Sequence, residues 1–404
     1  MELYRVRQHL VSNPIADVTA EVRARLDAAE LDVPRGEIAI TAGSRGIANI
    51  AAITRAVGDW LKDRGAKPFI VPAMGSHNGA TAEGQQNMIE SFGITEDAMQ
   101  MPIRASMEVV ELGRVATGPV FMDKFCHESA GVMAINRIKL HTCFAGAIQS
   151  GLTKMTVIGM GKIQSAETFH STPTPVMKEM LTQMGQVIVD SGKVIGGVAI
   201  LEDGFDQTAE IHALRGAEIL RREPDLVERH KAYFPRLPVD ELRVLVVEEM
   251  GKNFSGTGMD PNVIGYRGVK DYDGTEDPSI QIIAALRLHA KSQGNAIGVG
   301  LADFITRELR DAIDEQKTFI NVFTTGEMIR MKIPATLPSD EDVVNTIRGR
   351  YGDEGWMFIP NTLHLEELYI SSDLRDEVGA RNCDVDGEPT ELTFSGGRQQ
   401  LAFA

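Results

Sequence analysis

The chain has 404 residues, 57 of them Asp or Glu against 41 Lys or Arg, for a net charge of −16 at pH 7. With 43% hydrophobic residues it can bury a core and is not a disordered chain. At roughly 100–200 residues per domain it has room for two domains, or three. The acidity excludes non-specific nucleic-acid binding, which needs net positive charge to displace counterions, but leaves space for a local basic pocket. The three cysteines, Cys126, Cys143 and Cys383, form no CxxC pair and no disulfide framework, as expected in a reducing cytosol. No run of about 18 apolar residues suggests a membrane helix. The charged start MELYRVRQHLVSNP lacks the apolar stretch of a signal peptide, so a cytoplasmic location is expected.

Strand-like and helix-like segments alternate through the first half. Glu37–Thr41 reads as a strand ending in Ala-Gly-Ser-Arg-Gly, and Ile50, Ile53, Val57 and Leu61 give the following segment a helical period. Lys67–Pro72 is a second strand, running into Gly75-Ser-His-Asn-Gly79 and a helix from Thr81 to Phe92. Gly131–Ile135 is a third strand and Val194–Leu201 a fourth. Pro235 and Pro238 lie in a non-periodic stretch that reads as a linker. Beyond it, Arg243–Val247 reads as a strand, Ile280–Ser292 as a helix, Ala296–Leu301 as a strand, Thr306–Gln316 as a helix and Thr318–Phe323 as a strand. The polar, Gly-rich stretch from Asp384 onward has no assignable partner. The expected fold is α/β: two α/β domains, 1–238 and 239–404, with mostly parallel sheets and an active site in the cleft between them.

In open α/β sheets ligands bind beyond the carboxyl ends of the strands, and the chemistry-bearing residues cluster there. Gly43, Ser44, Arg45 and Gly46 form a turn between strand and helix that could hold an anion on free N–H groups and a guanidinium; a tight turn with a surface arginine is the competing reading. His77, between two glycines, suits a base that must reach a substrate proton, or is an ordinary loop histidine. Residues 136 to 170 pack Arg137, Lys139, His141, Lys154, Lys162 and His170 into one stretch of an acidic chain, which points to an anionic ligand. Ile148, Leu152 and Met155 have helical spacing, so a helix–turn–helix could bring Lys154 and His170 together; the β-branched Thr156-Val157-Ile158 keeps a diverging strand open. No HxH, HExxH, GxSxG or P-loop pattern is present, and the 18 methionines read as core filler.

Over its first half the chain resembles the nickel-dependent lactate racemase family, enzymes that use a nickel-pincer nucleotide. The resemblance rests on the Arg45 loop, the His77 loop, and the series His141, Lys154, His170. It implies that Lys154 tethers the nucleotide and that His170, sixteen residues later, is the nickel ligand. It implies further that His77 and His141 are the acid/base pair, and that Arg45 helps fix the substrate carboxylate. The implied reaction inverts the carbon of a 2-hydroxy acid: a hydride passes to the cofactor ring while a histidine takes the hydroxyl proton, and the hydride returns to the opposite face. Ala42 stands where the family has an acidic residue, and Gly151-Leu-Thr-Lys154 where it has Gly-Gly-Arg-Lys. A racemase or epimerase of a 2-hydroxy acid other than lactate is therefore expected. The implied partners are that small acid and, transiently, the enzymes that build the cofactor; a homo-oligomer is left open, and neither nucleic acid nor membrane is expected. In the second half Lys252, in the Gly251–Asn262 loop, is the candidate for a further substrate-contacting lysine, with a Gly-rich surface turn as the alternative. The rival readings are a non-catalytic two-lobed binding protein for a nucleotide or acidic metabolite, and a metal-free Schiff-base enzyme using Lys154.

Overall fold

The computed structural model describes every residue except Arg45, Asp273 and Ala404, and of Thr324 and Thr325 only the backbone. The chain divides into two compact units, Val11–Phe234 on one hand and Met1–Leu10 with Pro235–Ala404 on the other. The strand that opens the chain, β1 (Glu2–Gln8), belongs to the latter.

In the Val11–Phe234 unit the strands are β2 (Glu37–Ala42), β3 (Lys67–Pro72), β4 (Val109–Val115), β5 (Gly118–Asp123), β6 (Gly131–Arg137), β7 (Val194–Glu202) and β8 (Thr208–Arg215). Five of them form one sheet in the order β3-β2-β6-β7-β8. The pairs β2–β3, β2–β6 and β6–β7 are parallel, and β8 closes the edge antiparallel to β7. Period-two alternation sends the strand side chains to two cores. Ile38, Ile40, Ile70 and Met133 pack with Ile53, Val57 and Leu61 of the helix Ile50–Asp63. Ala39, Phe69, Val71 and Val132 pack on the other face against Leu152, Met155 and the methionines 177, 180 and 184 of the helix Thr174–Asp190. Helices cover both faces, so each strand reads as a nearly continuous apolar run. β4 and β5 form a separate antiparallel hairpin.

A buried ion pair fastens the helix that carries His170 to this framework. The helix Lys162–His170 begins with Lys162 in the left-handed region at φ 55°. The Lys162 ammonium is 3.1 Å from an Asp123 carboxylate oxygen at the end of β5, both side chains being fully buried. It also donates to the Pro72 carbonyl at the end of β3. Burial raises the Asp123 pKa against the pull of Lys162.

The second unit contains β9 (Glu241–Met250), β10 (Ser279–Leu288), β11 (Phe304–Thr306), β12 (Ala335–Leu337), β13 (Trp356–Ile359), β14 (Glu367–Ser371), β15 (Cys383–Val385), β16 (Thr390–Glu391) and the hairpin β17 (Phe394–Ser395) with β18 (Arg398–Gln399). Its sheet runs β12-β11-β10-β9-β13-β14-β1-β15, with β16 also on β1. The run from β12 to β13 is parallel and the remainder antiparallel. The stretch from Asp384 thus finds its partner in the first strand of the chain.

Several expected elements differ. Ile280–Leu288 lies in strand β10, not in a helix: it sits between β9 and β11, and an apolar run buried on both faces has no period to distinguish the two. Thr318–Phe323 lies in the helix Glu315–Thr325, whose N-cap Asp314 accepts from the Lys317 amide and whose C-cap Gly326 has φ 77°; the capping residues outrank the β-branched composition. Ala296–Leu301 is a turn ending in a 3-10 helix, Val299–Leu301, and the strand follows it as β11. The helix expected over Thr306–Gln316 shortens to Arg307–Asp311. Among the described residues no helix is long and apolar enough to cross a membrane.

Two stability predictions follow from buried charge. Lys162→Met leaves Asp123 without its counter-charge and should cost roughly 3–5 kcal/mol in urea unfolding at pH 8. The loss should be smaller at pH 5, where the Asp123 carboxyl, with its pKa already raised, is more readily protonated; an unchanged midpoint at pH 8 would show that the pair carries no weight. His230, 6% exposed, has no hydrogen-bond partner for either ring nitrogen among the described residues, and its pKa is lowered from 6.5 to about 3 by burial, with Lys139 and Arg137 adding to the effect. The unfolded chain therefore binds a proton that the folded chain refuses, and stability present above pH 6.5 is lost as pH falls toward 3. His230→Leu should flatten the dependence of stability on pH between 6 and 4 by about 1.4 kcal/mol per unit. Equal slopes in the two proteins would contradict this.

Candidate functional site

The segment between Lys154 and His170 is a helical hairpin. A short helix, Leu152–Lys154, passes into a π-helical turn, Met155–Gly159, and Gly161 leads into the helix Lys162–His170. The strand alternative for Thr156–Ile158 is thereby excluded, because these residues are helical and buried. π-turns recur at functional sites, and this one follows Lys154 directly. The hairpin brings Lys154 and His170 into electrostatic reach of each other. The His170 pKa falls from 6.5 to about 4, mainly through burial and further through the Lys154 charge. At neutral pH the ring is therefore uncharged, the form in which imidazole ligates a metal.

The loop after β3 is laid on this hairpin by close backbone approach. The Gly75 amide donates to the Gly159 carbonyl at 3.1 Å. Gly75 has φ 62°, and a Cβ on Gly159 would lie 2.6 Å from the Ala73 carbonyl oxygen, so neither position accepts another residue without a shift. His77 follows, exposed, with its Nδ1 against the Ser44 hydroxyl. That contact ties the loop after β2 to the loop after β3. Gly43 packs in turn on the residue after Lys154: a Cβ there would meet Met155 Cε at 3.0 Å. Gly46 is exposed, and a Cβ on it would meet nothing within 4 Å among the described residues. Arg45 lies outside the described residues.

His141 reaches the same hairpin through stacked rings. Its ring lies 4.1 Å from that of Phe144, at 21° between planes. Phe144 is 6.4 Å from Phe169, and Phe169 meets His170 edge-on at 5.7 Å. The Cys143 amide donates to His141 Nδ1 at 3.1 Å, and the His141 amide donates to Gln149 Oε1 at 2.7 Å. With Nδ1 accepting, the neutral ring carries its proton on Nε2.

The structure thus gathers His77, His141, Lys154 and His170, with Gly43 and Ser44, about one helical hairpin at the carboxyl edge of the five-stranded sheet. It divides the basic cluster of the sequence. Lys162 pairs with Asp123, and Arg137, at the end of β6, pairs with the buried Glu202. Lys252 belongs to the other unit, where its ammonium donates to Asn321 Oδ1 at 3.0 Å and its amide to Ser292 Oγ at 2.8 Å. Sequence reasoning missed Glu223. This fully buried carboxylate accepts from the amide and the hydroxyl of Thr153, at 2.8 and 2.9 Å, one residue before Lys154. The signal was there: Ile219, Glu223, Leu226, Val227 and His230 share the buried face of one helix, so an acid and a histidine interrupt an apolar stripe.

The resemblance asks for an amine to tether a pincer nucleotide and an uncharged imidazole to reach its nickel, and Lys154 and His170 are groups of those two kinds on one hairpin. Among the described residues no group of three or more His, Cys, Asp or Glu could hold a metal ion. The residues present fit the group.

No family model matches the sequence, and no curated protein matches it. In three dimensions the chain is similar to the lactate racemase apoprotein from Thermoanaerobacterium thermosaccharolyticum, with a TM-score of 0.51 over 88% of this chain and 94% of that one, at 12% sequence identity. At that identity the likeness speaks for the fold: the chain is an α/β protein with a lactate-racemase-like fold.

Proposed function

We propose that this protein is an isomerase, a racemase or epimerase of a 2-hydroxy acid, that carries a nickel-pincer nucleotide on Lys154 with His170 as the protein's nickel ligand. One observation carries the reading: a half-buried imidazole, held neutral by desolvation and by the charge of the lysine sixteen residues before it, lies with that lysine on a single hairpin. The lactate-racemase-like fold and the convergence of His77 and His141 on the same hairpin support it. When bound, the nucleotide supplies nickel and a ring able to take up and return a hydride.

The chain's own residues would handle the proton and the orientation. The Ser44 hydroxyl can give or take a hydrogen bond, so His77 can present either a lone pair or a proton at Nε2. It takes the proton of the substrate hydroxyl as that oxygen becomes a carbonyl and returns it afterwards. His141, fixed by Cys143 and stacked on Phe144, offers an Nε2–H to the substrate oxygen; it becomes a base only when the Cys143 bond is given up. Two histidines serve because inversion presents the hydroxyl in two orientations. Arg45, by the family resemblance, holds the carboxylate. Ala42 is small, uncharged and 2% exposed at the end of β2, and supports a substrate other than lactate. Loading would require transient contact with the enzymes that make the nucleotide.

Protein produced together with the cofactor pathway should show a mass increment localised to Lys154, absent in Lys154→Ala, and stoichiometric nickel. His170→Ala should keep the increment and lose the nickel; full nickel in that variant would remove His170 from the metal. In a screen of 2-hydroxy acids for inversion without solvent exchange, His77→Ala and His141→Ala should each lower kcat by about 100-fold or more while leaving the Lys154 adduct unchanged. Inversion at the wild-type rate in the double variant would sink the acid/base assignment, and binding without inversion of any 2-hydroxy acid would favour a binding protein instead.

A further inference from the structure

Glu223 takes no part in the mechanism above, yet its surroundings are unusual for a carboxyl group. It is fully buried on the helix Ile219–Tyr233. Burial raises its pKa from 4.5 to about 7, against the hydrogen bonds from Thr153. One oxygen, Oε2, accepts from both the amide and the hydroxyl of Thr153; the other, Oε1, is buried without a hydrogen-bond partner among the described residues. The approach is tight: a Cβ on Gly151 would lie 2.5 Å from Oε1 and 2.6 Å from Ile138 Cδ1. Only a glycine leaves room for the carboxyl group at the start of the Lys154 helix.

That helix has little else to start it. Gly151, its N-cap, supplies no side-chain hydrogen bond, and only Leu152–Lys154 are α-helical before the π-turn. The first amides of a helix lack intrahelical partners and need an outside acceptor. Glu223 is that acceptor, delivered from another helix. Thr153 is nearly fully buried, so water offers little replacement. The other supports of the segment lie two and three residues before Thr153: Asn136 donates to the Gly151 carbonyl at 2.8 Å, and the Lys139 amide to the Ser150 carbonyl at 2.8 Å. These bonds fix where the chain enters the helix; the bonds to Glu223 fix Thr153, the residue adjoining the lysine.

We propose that Glu223 is the positioning residue of Lys154, acting through the Thr153 amide and hydroxyl to set how the lysine is presented beside His170. The proposal rests on the reading of Lys154 as the reactive amine. The two can fail separately, because presentation is measurable without the cofactor. The measurement is competitive labelling of the full-length, cofactor-free protein with an amine acylating reagent, read by peptide mass spectrometry as the rate at Lys154 relative to that at Lys67. Glu223→Met keeps the bulk and removes both acceptors; Glu223→Gln keeps a carbonyl oxygen for Thr153. Thr153→Val removes the hydroxyl donor at nearly constant shape.

The expected result is a Lys154 to Lys67 ratio raised at least threefold in Glu223→Met and in Thr153→Val, and within twofold of wild type in Glu223→Gln, all compared in protein that unfolds cooperatively. A merely structural role would not give rescue by glutamine at this one lysine. Should Glu223→Met fail to fold, Thr153→Val and Glu223→Gln decide alone. A ratio within twofold of wild type in the folded Thr153→Val variant overturns the proposal, as does one raised in Glu223→Gln as far as in Thr153→Val. Absence of any adduct on wild-type Lys154 after co-production with the cofactor pathway would instead overturn the tether assignment, and leave the labelling result standing.

Discussion

The candidate site depends on how closely the loop after β3 can lie on the turn between Lys154 and His170. Gly75 donates to Gly159 where any side chain on Gly159 would strike the Ala73 carbonyl, and directly behind this contact the Lys162 ammonium, neutralised by Asp123, grips the Pro72 carbonyl. A backbone hydrogen bond, an ion pair sheltered from water and two glycines thus clamp the hairpin to the sheet edge. His77 follows one side of the clamp and Lys154 and His170 flank the other, so a backbone contact ties together the segments that carry them. Sites built on fixed elements hold geometry better than sites built on loops alone. The left-handed start of the helix at Lys162, a conformation costing about 1–2 kcal/mol for a residue with a Cβ, is offset where the same residue makes the pair.

Environment sorts the histidines into different tasks. Burial and the nearby Lys154 charge hold His170 uncharged, which disables it as an acid near neutral pH and suits it to ligation. His77 is exposed and faces a hydroxyl that can reverse its hydrogen bond, which suits proton exchange. His141 is tied through Nδ1 to a backbone amide and stacked on a phenyl ring, which fixes its tautomer and its plane. His230, buried with neither nitrogen hydrogen-bonded among the described residues, is neutral for the same reason as His170 but stands on a different helix, with Lys139 and Arg137 as the charges that bear on it. Desolvation and neighbouring charge thus act on His170 and His230, while a single hydrogen-bond partner orients His77 and His141.

The sequence was most legible where local pattern and tertiary context agree. β2, β3, β6 and β7, and the helix after β2, are visible because apolar runs alternate with helical periods and are punctuated by glycine. The placement of chemistry beyond the strand ends follows from the same parallel architecture. The second unit was harder to read. β10 carries Ile280 to Leu288 with little polar interruption because both its faces are covered, and a helix buried on all sides would look the same. The helix over Thr318–Phe323 has a β-branched composition, and only Asp314 and Gly326 at its ends betray it. β1 could not be assigned to the later unit, since its partners β14, β15 and β16 lie more than 350 residues away, and no local pattern encodes a pairing of that range. Within the site, the roles of Lys162 and Arg137 were hidden because a lysine in sequence carries no sign of whether an aspartate will be buried against it.

A likeness of fold at 12% identity is understandable on these terms. What the architecture requires of most positions is an apolar side chain of suitable volume at the correct period, a demand that many sequences meet. The positions with no such latitude are few. Gly75 and Gly159 must let two backbones meet, Gly151 must leave room for a carboxyl group, and Asp123 with Lys162 must be exchanged together or not at all, since either alone leaves a buried charge. These residues touch no substrate in the proposed chemistry, yet they govern whether Lys154, His170 and His77 can converge. Divergence of the apolar remainder leaves the contacts of the clamp intact.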